Sequence, residues 1–303
     1  MEEKIEWKES DEREKSHEYG IWVGGIFVER ISRHYEYGMM RRHFHSEYEI
    51  YYLLSGERYY FIDQRTYPVT SGTLVFVNKG QIHKTSMVRD PDHERILIQM
   101  KDNNISQLLE GTQERNLKGF FEKNSGILSL EGEDRKEVEM ILKRIEAETL
   151  GGGYGAEGMV QALVAELLLY ASRVQNERGK KESDEGEKPA RHSKVQEVAE
   201  YISAHIQEPM SLESLADRFF VSKYYLCRIF KEITGFTVNE FINVTRVKYA
   251  ASLLEREQWS ITSVAEEVGY DSITYFERMF KQYLDMTPRQ YKKRFAQSDR
   301  EKK

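Results

Sequence analysis

A single cysteine, Cys227, stands in 303 residues, so no disulfide can close within the chain and a reducing, cytoplasmic setting is expected. No apolar run approaches the length needed to cross a bilayer; the longest, Leu163 to Ala171, is interrupted by Glu166. The N-terminus, Met-Glu-Glu-Lys, lacks the apolar core of a secretion signal, so neither a signal peptide nor a membrane partner is expected. Also missing is the basic excess of most nucleic-acid-binding chains. The net charge is −6, with 28 Lys/Arg against 35 Asp/Glu in residues 1–192 and 17 against 16 in residues 193–303. Any affinity of the last third for a polyanion must come from local placement of cations. Apolar spacing is itself absent from 1–18, read as a flexible arm, and from 176–193, read as a solvated linker.

What is present divides by period. From about Ile21 to Met100 the pattern is β. Tyr48 to Leu54, Tyr59 to Ile62, Leu74 to Val77 and Arg95 to Met100 are short aromatic or β-branched runs, set off by Ser55-Gly56, Ser71-Gly72 and Lys79-Gly80. Strands at that spacing predict a barrel or sandwich over 19–130. From Glu133 the period becomes helical. Val138, Ile141, Leu142 and Ile145 mark one helix ended by Gly151-Gly-Gly, and Met159, Val160, Leu163, Val164, Leu167, Leu168 and Tyr170 mark a second, over about 156–175. The second stripe is wider than one small barrel needs. Two readings stay open: the helices of 131–175 close the barrel, or the second also forms a dimer seam.

The last third states one pattern twice. Ser211 to Lys231 returns as Ser260 to Lys281, with Leu215 and Ala216 shifted by 49 onto Val264 and Ala265. Ser222, Arg228 and Phe230 are shifted by 50 onto Ser272, Arg278 and Phe280, so one extra residue falls at the turn between two helices. Each copy has a short helix with a small Ala at closest approach, then a turn, then a Ser placed to cap a second helix. The second helices turn outward Lys223, Tyr224, Cys227, Arg228 and Lys231 in one copy, and Ile273, Thr274, Glu277, Arg278 and Lys281 in the other. Two such helices about 34 Å apart would enter successive major-groove turns, where Arg can bond guanine bidentately. Lysines 223, 231 and 281 suit phosphates.

Gly269-Tyr-Asp-Ser-Ile-Thr-Tyr-Phe-Glu-Arg-Met-Phe-Lys, followed by Thr287-Pro288 and Tyr291, resembles the signature of the AraC/XylS family of bacterial transcription regulators. The first copy resembles it too, through Ser222, Leu226, Arg228, Phe230-Lys231, Gly235 and Thr237. The chain departs at Asp285, where the family usually has Gly, and at Val238, where the first copy lacks the Pro of the second. The resemblance covers about 195–297. It implies promoter DNA and RNA polymerase as partners, a homodimer, activation as the usual outcome, and base contacts from Tyr224, Cys227, Arg228, Ile273, Thr274 and Arg278.

His43-Phe-His45-Ser-Glu-Tyr-Glu49, then Gly56, Gly72 and Gly80-Gln-Ile-His83, forms a second constellation. On a strand His43, His45 and Glu49 share a parity, and His83 could join them across a barrel. Three imidazoles and a carboxylate suit a divalent transition metal. The spacing resembles the two cupin motifs, with Asn78 in place of the usual Pro. A metal site, histidines lining an effector pocket, and purely structural histidines are the three readings. The family resemblance implies the second, a cupin-like sensor often for sugars and without a metal cofactor, and Phe44, Tyr48, Tyr52, Tyr59 and Phe61 could stack on a sugar.

The expectation is an α+β two-domain protein: a cupin-like barrel with dimerisation helices, a linker, a double helix-turn-helix domain over 194–297, and a tail at 298–303. Its function is expected to be ligand-responsive transcription regulation without enzymatic activity, with effector residues His43, His45, Glu49, Tyr52 and His83. The alternatives are a metal-dependent cupin enzyme with a regulatory DNA-binding tail, using His43, His45, Glu49 and His83, and an effector-free architectural protein.

Overall fold

The protein is described by a computed structural model, which covers residues 17–34, 45, 47–101, 104–110, 112, 116–178, 189–255 and 259–301. His43, Phe44, residues 1–16 of the expected arm and 179–188 of the expected linker lie outside these. The chain forms two units, Met1–Lys188 and Pro189–Lys303.

Among the described residues, the first unit is built on eight antiparallel strands: β1 (His17–Val23), β2 (Ile26–Arg33), β3 (Tyr48–Ile62), β4 (Arg65–Thr70), β5 (Thr73–Val77), β6 (His83–Met87), β7 (His93–Met100) and β8 (Gly126–Ser129). Six follow the order β1-β2-β7-β3-β5-β8, while β4 and β6 pair with β3 beyond that path. The long β3 makes this possible. Its first half pairs with β5 and β7 and its second half with β4 and β6, so one strand serves both sheets.

Ser55-Gly56, expected to be a turn between two strands, instead lies within β3. The register slips between Leu53 and Ser55, and Gly56 adopts φ +90 against the backbone of Asp92 and His93. A Cβ there would sit 2.4 Å from the Asp92 carbonyl, so only glycine lets the strands cross this closely.

Alternation along β3 sorts its side chains by face. Tyr48, Ile50 and Tyr52 join the larger core with Phe76, Phe120, Phe121 and the helix residues Ile141, Leu163 and Leu167. Tyr51 and Leu53 join a smaller cluster with Tyr60, Ile62, Val69, Val75, Val77 and Leu97. The larger core is covered by α1 (Asn104–Leu109), α2 (Leu117–Asn124), α3 (Gly132–Gly151) and α4 (Ala156–Arg178). The stripe Val160, Leu163, Val164, Leu167 and Leu168 is buried within this unit, while Met159 is exposed. Each such side chain contributes roughly 1.5–3 kcal/mol. α1, α2 and β8 were not foreseen, their apolar runs being too short to show a period.

The second unit is helical: α5 (Ala190–Ala204), α6 (Leu212–Arg218), α7 (Lys223–Thr234), α8 (Val238–Leu254), α9 (Ile261–Glu267), α10 (Ile273–Leu284) and α11 (Pro288–Glu301). The expected linker and tail are shorter than read, because α4 runs to Arg178, α5 starts at Ala190 and α11 reaches Glu301.

Candidate nucleic-acid interface and barrel site

The two copies fold through the same local bonds. Ser211 and Ser260 accept the amides of Ser214 and Ser263, capping α6 and α9. The turns match atom for atom: Phe219 and Val268 donate to Leu215 and Val264, and Val221 and Tyr270 donate to Ala216 and Ala265, all at 2.9–3.0 Å. Between them Phe220 (φ 54) holds in the first copy the left-handed position that Gly269 (φ 80) holds in the second. Asp271 is the extra residue, and then Ser222 and Ser272 accept the amides of Tyr225 and Tyr275.

Equivalent faces of α7 and α10 are buried: Leu226, Ile229, Phe230 and Ile233 in one, Phe276, Met279, Phe280 and Tyr283 in the other. The opposite faces leave Lys223, Tyr224, Arg228 and Lys231, and Ile273, Thr274, Glu277, Arg278 and Lys281, exposed to solvent, with Cys227 half-buried. Tyr224 is 82 % exposed and Ile273 42 %, a poor use of apolar surface unless a partner covers it.

Tyr225 and Tyr275 were not foreseen as site residues. Each lies three positions before an outward arginine, with the Arg228 guanidinium 5.9 Å from one ring and that of Arg278 5.0 Å from the other. A planar cation over a ring keeps fewer rotamers than a free one. An i, i+3 Tyr–Arg pair in both copies is the sequence signal that reveals it. Lys223 is paired with Glu213 of α6, whose carboxyl is held below its usual range by that lysine. A phosphate reaching Lys223 has to displace Glu213.

The repeat continues past α7. Gly235 and Asp285 end α7 and α10 in the left-handed conformation, at φ 82 and φ 56. Thr237 with Glu240, and Thr287 with Gln290, then form side-chain caps at the starts of α8 and α11. Arg246 of α8 was also missed. It donates to the carbonyls of Ile206 at 3.0 Å and Glu208 at 2.8 Å, and its guanidinium lies over Tyr270, tying the α5–α6 loop to the second turn.

In the barrel, His45, Glu49 and His83 each present a ligand atom within 4.8 Å of the others. His45 Nε2 is 3.0 Å and His83 Nε2 3.6 Å from Glu49 Oε2. The Nδ1 atoms sit against backbone carbonyls, that of His45 at Glu47 and that of His83 at Gln81, so both Nε2 atoms face the carboxylate. Tyr60 donates to Glu49 Oε1 at 2.8 Å and Gln99 to Oε2 at 3.0 Å. Neither was anticipated: Gln99 faces Glu49 across the β3–β7 ladder, and Tyr60 lies on the same strand beyond the register slip at Leu53–Ser55.

Burial works against charge on both partners. The two histidines nevertheless hold the Glu49 carboxyl well below its ordinary range, and Glu49 with Glu47 raises His45. Such a cluster can bond ligand hydroxyls or, with Nε2 and carboxylate donors, hold a transition ion.

Two expectations change. His45 precedes β3 instead of lying in it, so strand parity is not what aligns it with Glu49. Tyr52 lies on the other face of β3, packed in the larger core and donating to Glu139 at 2.9 Å, because residues 49 and 52 differ in parity. Tyr48 shares that face and that core.

Comparison with known proteins agrees with both units. Residues 26–145 match the family described as AraC-like ligand binding domain, and residues 215–294 match the helix-turn-helix domain family. The chain is 24% identical to the HTH-type transcriptional activator RhaR of Mannheimia succiniciproducens over 89% of its own length and 92% of that protein. It is 34% identical to the regulatory protein SoxS of Salmonella typhimurium, over 33% of its own length and 94% of SoxS. A crystal structure of an apo ToxT variant from Vibrio cholerae is similar with TM-score 0.38 and 16% identity, covering 88% of this chain and 97% of that one. With its ligand-binding and helix-turn-helix segments both matched, the chain belongs to the AraC/XylS family and is a DNA-binding transcription regulator.

Proposed function

We propose that the protein is a ligand-responsive regulator whose α7 and α10 read adjacent major-groove segments of promoter DNA. Tyr224, Cys227, Arg228, Ile273, Thr274 and Arg278 meet bases, and Lys223, Lys231 and Lys281 meet phosphates, with Glu277 beside them. The matched exposure of the two capped helices is the observation that carries this reading. Cys227, half-buried, contributes least.

The barrel binds a small molecule, a sugar being the class favoured by the hydroxyl-bonding groups His45, Glu49, His83, Tyr60 and Gln99. Exposed Met140 and Leu150 on α3 and Met159 on α4 support a homodimer through these helices. The effector favours one arrangement of the paired DNA-binding units, since a ligand with equal affinity for both shifts nothing. That arrangement recruits RNA polymerase and activates transcription in the cytoplasm.

Thermal-shift screening of the whole chain against sugars tests the sensor, because a ligand bound by the native state alone raises the midpoint. A hit must also change operator affinity. A panel of neutral sugars, sugar acids and sugar phosphates without one leaves the sensor unsupported and favours the architectural alternative.

A metal-dependent cupin enzyme with a DNA-binding tail is the second reading, favoured by the three donors of His45, Glu49 and His83. Stoichiometric iron, manganese or zinc, lost in His45→Ala, would establish it.

A further inference from the structure

The barrel interior contains a second polar group, away from the histidine cluster. Along β7, Gln99 belongs to the Glu49 cluster, while Arg95 lies four residues earlier, about 13 Å along the strand. There Arg58 and Arg95 are only 2% and 8% exposed, among Tyr51 and His93, and half-buried Arg33 pairs with His93 in the ladder. The register puts these residues together: Leu53 faces Arg95, Gly56 faces His93, and Arg58 follows two residues after that bend.

Arg95 has a carboxylate partner, Glu29, at 2.8 Å, but its Nη1 atom has none. Arg58 has no carboxylate partner among the described residues, and its buried Nε makes no hydrogen bond. The Tyr51 hydroxyl, against whose ring the Arg95 guanidinium lies at 5.7 Å, is buried and unbonded as well.

A buried guanidinium without a counter-ion is an expensive arrangement, since desolvation of a charge is offset only by a partner. Arginine cannot escape by releasing its proton. Burial and the neighbouring Arg33 and Arg95 pull the Arg58 pKa down, and burial with the three arginines holds His93 down to about 4, so His93 adds no competing positive charge at neutral pH. The arrangement is one that an incoming oxyanion completes: planar Arg donors bond two oxygens at once, and the Tyr51 hydroxyl supplies a further donor.

We infer that the barrel's effector carries an oxyanion, a carboxylate or phosphate, received by Arg58, the free Nη1 of Arg95 and Tyr51. This rests on the reading of the barrel as the effector-binding unit, and it makes the favoured ligand an acidic or phosphorylated polyol in place of a neutral sugar. The oxyanion takes the arginine end and hydroxyls take the Glu49 end.

Calorimetric titration of the full chain at fixed ionic strength, with gluconate, glucose 6-phosphate, inorganic phosphate and glucose, tests this. Wild type is expected to bind gluconate or one of the phosphates, which tells carboxylate from phosphate, and to bind that anion more tightly than glucose. Arg58→Met should weaken it about tenfold or more, the loss of a charge-assisted bond, and Tyr51→Phe severalfold. Tyr51→Phe keeps the packing, so its result stands even should Arg58→Met unfold.

Anion affinity unchanged in both variants, or no anion bound by wild type, overturns the inference. Glucose bound without any anion overturns it too and leaves the effector reading intact. An anion lost on mutation that never alters operator affinity upholds the site but removes its regulatory role.

Discussion

Arg228 and Arg278 occupy one position in two copies, each held near a tyrosine ring one helical turn earlier. Bidentate base contacts contribute about 1–3 kcal/mol, so Arg228→Ala and Arg278→Ala should each weaken specific binding by that amount and relax the preference at a different base. Fluorescence anisotropy on operator and random duplexes measures it; wild-type affinity in both variants would remove these residues from the interface. Lys223→Ala should weaken both duplexes alike and flatten the salt slope, by less than a free lysine because Glu213 already occupies it.

A backbone effect separates two further positions. Asp285 takes φ 56 where the first copy uses Gly235, so Asp285→Gly should raise stability by up to about 1 kcal/mol in urea titration while DNA affinity holds. Gly269→Ala should do the reverse by about 1–2 kcal/mol or more. Its Cβ would meet the Gln207 carbonyl and Arg246 Nη2 at 2.8 Å, so the backbone must shift as well as strain. A neutral Gly269→Ala would contradict the turn geometry.

At the level of elements, legibility followed locality. The double helix-turn-helix could be read because Ala216 and Ala265, the capping serines and the Phe-Lys pairs all act within a turn or two of themselves. β3 could not be read as one strand, since Ser55-Gly56 has turn composition and only the approach of Asp92 and His93 makes it a bulge. Parity was applied to His45, which precedes the strand, and was not applied to Tyr52, which by parity faces the helices and not Glu49. The Arg58–Arg95–Tyr51 group was invisible for the same reason: Tyr51 and Arg58 lie on either side of the irregularity in β3, and Arg95 comes from β7. Tyr225, Tyr275 and Arg246 are intermediate. The tyrosines repeat at helical spacing and could have been found, whereas Arg246 acts across 40 residues on the Ile206 carbonyl.

Across the whole molecule, each unit carries its own acid-sensitive histidine. His192, fully buried in α5, and His93 in the barrel are both pushed from 6.5 to about 4, by burial first and neighbouring arginines second. A lowered histidine takes up its proton in the unfolded chain before the folded one. Stability is therefore complete above pH 6.5 and falls as pH drops toward 4, by up to about 3 kcal/mol for each group. His192→Gln should flatten this dependence for the C-terminal unit in thermal melts between pH 7.5 and 4. An unchanged slope would mean that His192 is charged when folded.

The second unit carries the central proposal, that α7 and α10 act as a matched pair on one face of a duplex. Binding-site selection from a randomised DNA library, run with wild type, Arg228→Ala and Arg278→Ala, tests it most directly. Two clusters of selected bases are expected, centred about 10–10.5 base pairs apart, with each variant erasing one cluster and sparing the other. A single cluster, or one that survives both substitutions, would contradict the paired reading.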